Sequence, residues 1–180
     1  IVPEATLINL PIDESGTIDG WPAAREIYRR MEDYSALLVG CGMGVSNQAH
    51  LLISNLLLSP VDLSVPVVID ADGLNMLSSH SRWWDKLPED CVLTPHPGEM
   101  SRMTGLSVTE IQNDRLEIAR KFSAKWGQIL VLKGANSVVA LPDGKLWVSD
   151  ISTPSLSSAG TGDVLAGLIA GLIAQGLSAS

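Results

Sequence analysis

At 180 residues and 46% hydrophobic, the chain can bury one good core, and residues 1–180 are expected to form a single domain. Its 12 lysines and arginines against 20 aspartates and glutamates give a formal net charge of −8, which argues against any nucleic-acid partner. Any phosphate it binds must be held by local geometry. The longest apolar run, Val164 to Ala174, falls short of the roughly 20 residues that span a bilayer, so no membrane partner is expected and the run reads as a buried core helix. Two cysteines, Cys41 and Cys91, lie in apolar surroundings and are too few for a disulfide framework. They read as core residues of a protein in a reducing, cytoplasmic compartment. The chain opens without an initiator Met, inside a strand-like run, and reads as a fragment.

In chain order, residues 4–10 predict a strand, Asp13-Glu14-Ser15-Gly16 a turn, and residues 20–33 a helix ending in a charged turn. Ala36 to Gly40 is a short apolar run of the kind buried on both faces of a parallel sheet. It empties into Gly40-Cys41-Gly42-Met43-Gly44, a turn that brings backbone close to a ligand, before a helix over roughly 46–58. A dinucleotide fingerprint would want a third glycine later and an acidic residue sooner than Asp70. Val67-Val68-Ile69 is a second buried strand, ending in Asp70-Ala71-Asp72-Gly73-Leu74-Asn75. Asp70 and Asp72 suit either a Mg²⁺ or substrate role, or a structural one in which Asp72 caps the next helix and Asp70 accepts backbone hydrogen bonds. Trp83-Trp84 reads as a surface or interface anchor.

Cys91 to Leu93 predicts a strand running into Thr94-Pro95-His96-Pro97-Gly98-Glu99, where two prolines stiffen the loop around one histidine. His96 reads as a ligand contact, Pro97 as the first turn of a short helix, and Glu99 as its cap or dipole partner. Ser107 to Glu110 is a capping box for a helix whose Ile111, Ile118, Ala119, Phe122 and Trp126 share one face and whose stop is Gly127. Ile129 to Leu132 predicts a strand ending in Lys133-Gly134-Ala135-Asn136. A hairpin follows: Ser137 to Leu141, a Pro142-Asp143-Gly144 turn, and Lys145 to Val148. Lys133 at a strand end suits a nucleotide phosphate, with a solvated charge as the alternative.

The last motif is Ala159-Gly160-Thr161-Gly162-Asp163, a small-residue turn that opens an apolar helix. Gly160 and Gly162 permit a left-handed backbone or close approach to a ligand, and the helix N-terminus favours phosphate or a developing oxyanion. Asp163 is then either a helix cap or a proton acceptor beside bound phosphate. Strands alternating with helices imply a mostly parallel, doubly wound α/β sheet flanked by helices, with these loops gathered at the strands' carboxyl ends.

Through VVIDADGLN (67–75), LTPHPGEM (93–100), VLKGAN (131–136) and AGTGDVLAG (159–167), the chain resembles the ADP/ATP-dependent NAD(P)H-hydrate dehydratases of the ribokinase-like superfamily. The resemblance implies a ribokinase-like fold and repair of hydrated NADH and NADPH: a nucleotide phosphorylates the ring hydroxyl, and loss of phosphate restores the double bond. It implies that Asp163 is the base, that Gly160, Thr161 and Gly162 form the anion hole, and that Gly42, Gly44, Asn75, His96 and Asp163 contact the substrate. It places ADP or ATP, with Mg²⁺, at Lys133, Gly134, Ala135, Asn136, Ser137 and Gly162. A homo-oligomer is expected, with a fused epimerase domain in some parents. Thr153-Pro154 departs from the Asn-Pro common in the family, and Cys41 stands where many members have proline. Family domains continue in both directions, so the chain is expected to lack N-terminal and C-terminal parts that help close the site. A vitamin or sugar kinase that stops after phosphoryl transfer, or a non-catalytic nucleotide-binding module, are the competing expectations.

Overall fold

The computed structural model describes residues 5–61, 63–89, 91–151 and 160–179. Helix α1 (Gly20–Arg30) continues through a 3-10 turn, Met31–Asp33, into strand β1 (Leu37–Val39) and helix α2 (Asn47–Leu57). Strand β2 (Val67–Ile69) leads to α3 (Ala71–Ser78), a 3-10 turn at Trp83–Asp85, and β3 (Val92–Leu93). Helices α4 (Pro97–Thr104), α5 (Val108–Asn113) and α6 (Arg115–Trp126) precede β4 (Ile129–Leu132), β5 (Val138–Ala140) and β6 (Leu146–Val148). Helix α7 (Thr161–Ala174) closes the described chain.

The six strands lie in the order β1-β2-β3-β4-β5-β6, the first four parallel and the last two added as an antiparallel hairpin. Period-two alternation divides the core between the two sheet faces. Val67, Ile69, Leu93, Leu130 and Leu132 pack on one side against Ile53, Leu56, Leu74, Met100, Phe122 and Trp126 of the crossover helices. Val68, Val92, Ile129 and Val131 pack on the other against Ala166 and Ile173 of α7. Each fully buried Leu or Ile contributes roughly 1.5–3 kcal/mol.

Parallel pairing in register sends the carboxyl ends of β1 to β4 to the same rim. Val39, Ile69 and Leu93 are successive partners, and Leu93 faces Leu130. The ladder runs on into the rim, with Asp70 N–H donating to the Val39 carbonyl at 3.1 Å, Thr94 N–H to Ile69 at 3.1 Å and Lys133 N–H to Pro95 at 2.8 Å. The residues just past each strand are therefore held by backbone bonds.

Several expectations are corrected. Residues 5–10 form no strand, and Leu7 is exposed; the only nearby pairing is a single bridge between Ile12 and Ile18 beyond the Asp13–Gly16 turn. Strand β1 is half-buried because only β2 pairs with it among the described residues. Trp83 is core: it is buried, with Trp84 edge-on at 5.5 Å and Trp126 at 5.0 Å. The helix after Ser107 is broken at Asp114 into α5 and α6, which lets Arg115 reach the Leu132 and Lys133 carbonyls. Helix α7 buries only Ala166 and Ile173. Val164, Leu168 and Leu172 lie exposed because α7 alone covers its sheet face among the described residues. Ala159 and Thr153-Pro154 lie outside the described residues.

One close approach fixes how the first two rim loops stack. A Cβ on Gly40 would stand 1.9 Å from the Asp70 carbonyl oxygen, and Gly40 also has a φ of +118°. Gly40→Ala should therefore lower unfolding free energy by at least about 2 kcal/mol from overpacking and backbone strain. Gly167→Ala, on the exposed face of α7 with open space around it, should raise it by roughly 0.5–1 kcal/mol. Urea denaturation of both variants checks the pair of signs.

Candidate active site

The rim is built around a buried ion pair. Asp70 is the N-cap of α3 and is 1% exposed; its Oδ1 accepts from the Ala71 N–H at 2.8 Å and from the Lys133 ammonium at 2.5 Å. Lys133 Nζ also lies 3.8 Å from Glu99 Oε2. Breaking such a buried pair from one side costs about 3–5 kcal/mol. Ala71 carries a φ of +49°, an unfavourable conformation for a residue with a Cβ, located directly beside the pair.

Asp70 accepts a backbone hydrogen bond as its structural reading expects, but the cap expected of Asp72 falls to Asp70 as well. Asp70, not Asp72, caps α3, while Asp72 reaches back to accept the Gly44 N–H at 2.8 Å. That bond ties the Gly-rich turn after β1 to the start of α3. Gly42 and Gly44 remain exposed along the turn.

His96 is the N-cap of α4. Its Nδ1 accepts the N–H groups of Gly98 and Glu99 at 2.9 and 3.3 Å, while Glu99 Oε2 accepts the His96 N–H at 2.7 Å. Accepting at Nδ1 assigns the ring proton to Nε2. The side chain is half exposed and its Nε2 stands 3.4 Å from Glu99 Oε1. The two prolines therefore hold a histidine whose ring is oriented by its own helix and whose outer edge faces solvent. Glu99 is the capping partner expected. Asn75 Oδ1 accepts from Arg102 Nε at 2.7 Å, joining α3 to α4 beside His96.

The Lys133–Ser137 turn is held from behind. Arg115 donates to the Leu132 carbonyl at 2.9 Å and stacks so closely on Gly134 that a Cβ there would meet the guanidinium at 2.9 Å. Burial pulls the Arg115 guanidinium below its ordinary pKa. Ser137 Oγ bonds to the Gly134 carbonyl at 3.1 Å and Asn136 Nδ2 to the Ser149 carbonyl at 3.0 Å, so both side chains brace the turn; Gly134 and Ala135 stay exposed.

Helix α7 meets this group at its N-terminus. Gly160 is its N-cap in the left-handed region at φ +89° and, as glycine, supplies no capping side chain of its own. Gly162 is helical, not left-handed; its lack of a Cβ matters because one would lie 3.3 Å from Lys133 Nζ. Asp163, in the first turn, is exposed and does not act as the N-cap. The positive end of α7, with Lys133 beside it, suits an anion.

Cys41 is the residue that sequence reasoning misplaced. Cys91 is buried as expected, but Cys41 is only partly buried and donates its thiol hydrogen bond to the Asp163 carboxylate. The signal was its position inside a Gly-rich turn just after a buried strand. Arg115 had no comparable signal, since α6 brings it to the rim from a distant segment. Burial, the bond to Asp163 and the charges of Asp70 and Asp163 push the Cys41 thiol up to about 11, with Lys133 opposing them. The protonated form thus persists well above neutral pH. About a thousandth of Cys41 is thiolate at pH 8, against roughly a quarter for an unperturbed thiol. Iodoacetamide labelling mapped to Cys41 should be correspondingly slow at pH 8 and rise steadily towards pH 11; a free-thiol rate at pH 8 would refute this environment.

A family profile described as NAD(P)H-hydrate dehydratase matches residues 5–180. A bifunctional NAD(P)H-hydrate repair enzyme from Moorella thermoacetica is 39% identical over 174 residues, which is 97% of this chain and 32% of that protein. The crystal structure of the ADP/ATP-dependent NAD(P)H-hydrate dehydratase from Bacillus subtilis, co-crystallised with ATP and Mg²⁺ and soaked with CoA, superposes with a TM-score of 0.67 at 31% identity. It covers 82% of this chain and 53% of its own. A ribokinase-like superfamily protein from Enterococcus faecalis superposes at 0.72 with 25% identity, over 88% of this chain and 54% of its own. The fold is accordingly ribokinase-like, and the chain spans between about a third and half of these relatives' lengths. With the profile matching nearly its whole length, the chain belongs to the NAD(P)H-hydrate dehydratase family.

Proposed function

We propose that the protein is a lyase that repairs hydrated NADH and NADPH in a reaction driven by ADP or ATP, and that the rim described above is its active site. The observation that carries this reading is the start of α7: a helix N-terminus opened by Gly160, with an exposed Asp163 in its first turn and Lys133 beside it. The donor set fits a phosphate, because backbone N–H groups, the helix dipole and an ammonium converge there. Asp163 takes the proton of the ring hydroxyl as that oxygen attacks phosphorus, and Gly160, Thr161 and Gly162 hold the negative charge that develops. The nucleotide supplies the phosphoryl group; its later departure as phosphate breaks the ring C–O bond and carries off the hydroxyl oxygen, and loss of a proton from the adjacent ring carbon to solvent leaves the electron pair that restores the double bond.

Lys133 keeps two N–H donors besides the one given to Asp70, so the ion pair fixes its position without exhausting it. The turn at Gly134, Ala135, Asn136 and Ser137, braced by Arg115, is the nucleotide's second contact. Mg²⁺ is held mainly by phosphate oxygens and offsets their charge next to a chain of net charge −8. On the substrate side stand Gly42, Gly44, Asn75 and the outer edge of His96. A kinase would use the same Asp163; the family profile and the proline-held histidine favour dehydration.

The chain is read as part of a larger ribokinase-like domain. The exposed apolar strip of α7, the half-buried edge strand β1 and the share of its relatives that it covers support this. An epimerase domain in the same polypeptide is supported by the bifunctional relative. A homo-oligomer in the cytoplasm completes the proposal; a chain with two cysteines suits a reducing compartment.

The reaction is tested by incubating the protein with hydrated NADH, Mg²⁺ and either nucleotide, and following the return of the reduced-nicotinamide absorbance. Asp163→Asn should retain nucleotide binding and lose roughly 10²–10⁴-fold in turnover. Turnover close to that of the wild type would remove Asp163 from the role of base.

His96 has two jobs that can be separated. His96→Asn keeps a good N-cap for α4 and should leave thermal stability nearly unchanged while raising KM for the hydrate. His96→Ala should raise KM similarly and also lose about 0.5–2 kcal/mol of stability with the cap. Unchanged KM in both variants would confine His96 to capping.

A further inference from the structure

Cys41, Asp70 and Asp163 come from three separate elements: the turn after β1, the N-cap of α3 and the first turn of α7. One ligand atom from each, a sulfur and two carboxylate oxygens, lies within 4.8 Å of the other two. Asp70 is the decisive member. Its Oδ1 is engaged by Ala71 and Lys133, but its Oδ2 is buried and, among the described residues, accepts no hydrogen bond. That oxygen faces the start of α7, since a Cβ on Gly162 would stand 3.8 Å from it. A buried carboxylate oxygen without a donor is costly and calls for a partner.

We propose that Cys41, Asp70 and Asp163 form a binding site for a thiophilic divalent cation of the Zn²⁺ type, and that filling it withdraws Asp163 from proton transfer. The donor set selects the class of ion. Mg²⁺ takes oxygen ligands and keeps its waters, whereas a site with one sulfur and two carboxylates suits Zn²⁺ or Co²⁺. Three protein ligands leave a fourth position, which opens toward solvent on the exposed Asp163 side and takes water. The charges balance: a thiolate and two carboxylates, less the Lys133 ammonium on Asp70, equal the charge of a divalent ion. On binding, the Cys41 S–H bond breaks, its electron pair forms the S–metal bond, and the proton leaves to solvent. No oxidation state changes.

Metal binding stands on the geometry alone, while the inhibitory consequence rests on the proposed role of Asp163. The two are tested separately. Co²⁺ alone, titrated anaerobically into the intact protein, should give a thiolate-to-cobalt charge-transfer band that saturates at about one ion per chain, as three convergent ligands require. Zn²⁺ should abolish the band and excess Mg²⁺ should leave it. Cys41→Ser should remove it, and Asp163→Asn should weaken Co²⁺ binding by at least the roughly 10- to 100-fold that even outer-shell changes cost. Asp163 is exposed, so that variant remains informative should Cys41→Ser fail to fold. No band in the wild-type protein, or a band that survives Cys41→Ser, would overturn the site. In the repair assay, Zn²⁺ should inhibit the wild type, and Cys41→Ser should shift the inhibiting concentration upward by about the same factor. Equal inhibition of both would overturn the inhibitory step. A protein that never dehydrates the hydrate would sink the functional reading and leave the cobalt titration standing.

Discussion

The buried pair between Asp70 and Lys133 is the contact on which the rim depends. It joins the end of β2 to the end of β4 across β3, and every neighbouring loop is positioned against it. Gly40 presses on the Asp70 carbonyl, Glu99 approaches Lys133 from α4, and Gly162 leaves the space in which the ammonium sits. A hydrophobic pair of similar volume would often hold such elements together as well or better, because desolvating two charges costs several kcal/mol per ion in practice. What the ion pair adds is orientation. A lysine fixed at one donor still presents its others at a known place and angle, which a free surface lysine does not.

That pair also governs how the site handles charge. Asp163, Asp70 and the Cys41 thiol stand within a few ångströms, and Lys133 is the cation bound among them. Negative charge on the sulfur is therefore resisted, and the thiol stays protonated while Asp163 accepts its hydrogen bond. Asp163 stands at a helix start where the helix dipole and Lys133 offset negative charge over short distances. The chain's overall negative charge acts at longer range, where salt screens it within about 10 Å. Short-range donors and long-range repulsion thus oppose each other without cancelling.

Much of this was legible in the residues because the signals are local. Short β-branched runs ending in Gly, Asp, Thr and Lys gave the four parallel strands and, with them, the rim, since parallel strands in sequential order must end on one edge. The Ser107 capping box and the Gly127 stop also held. What failed depended on distant partners. Composition cannot tell that Trp126 waits to receive Trp83, or that Val164, Leu168 and Leu172 of the apolar helix α7 lie exposed. The capping of α3 by Asp70 rather than Asp72 is subtler: both stand at a helix start, and only the arrival of Lys133 from β4 and the Gly44 N–H from the first turn decides which caps.

His96 shows how a capping role and a proposed substrate contact can occupy one side chain. The capping bonds use Nδ1 and the backbone, Glu99 Oε1 stands 3.4 Å from Nε2, and half of the side chain stays exposed. Proline on either side removes the conformational freedom that a loop histidine would otherwise lose on binding a substrate. Capping is then the means by which the imidazole is aimed, just as the ion pair aims Lys133 and Arg115 aims the turn at Gly134. Each ligand-facing group of the rim is held by a bond made on its inner side, so the site is organised before any ligand arrives, and binding energy need not be spent on ordering it.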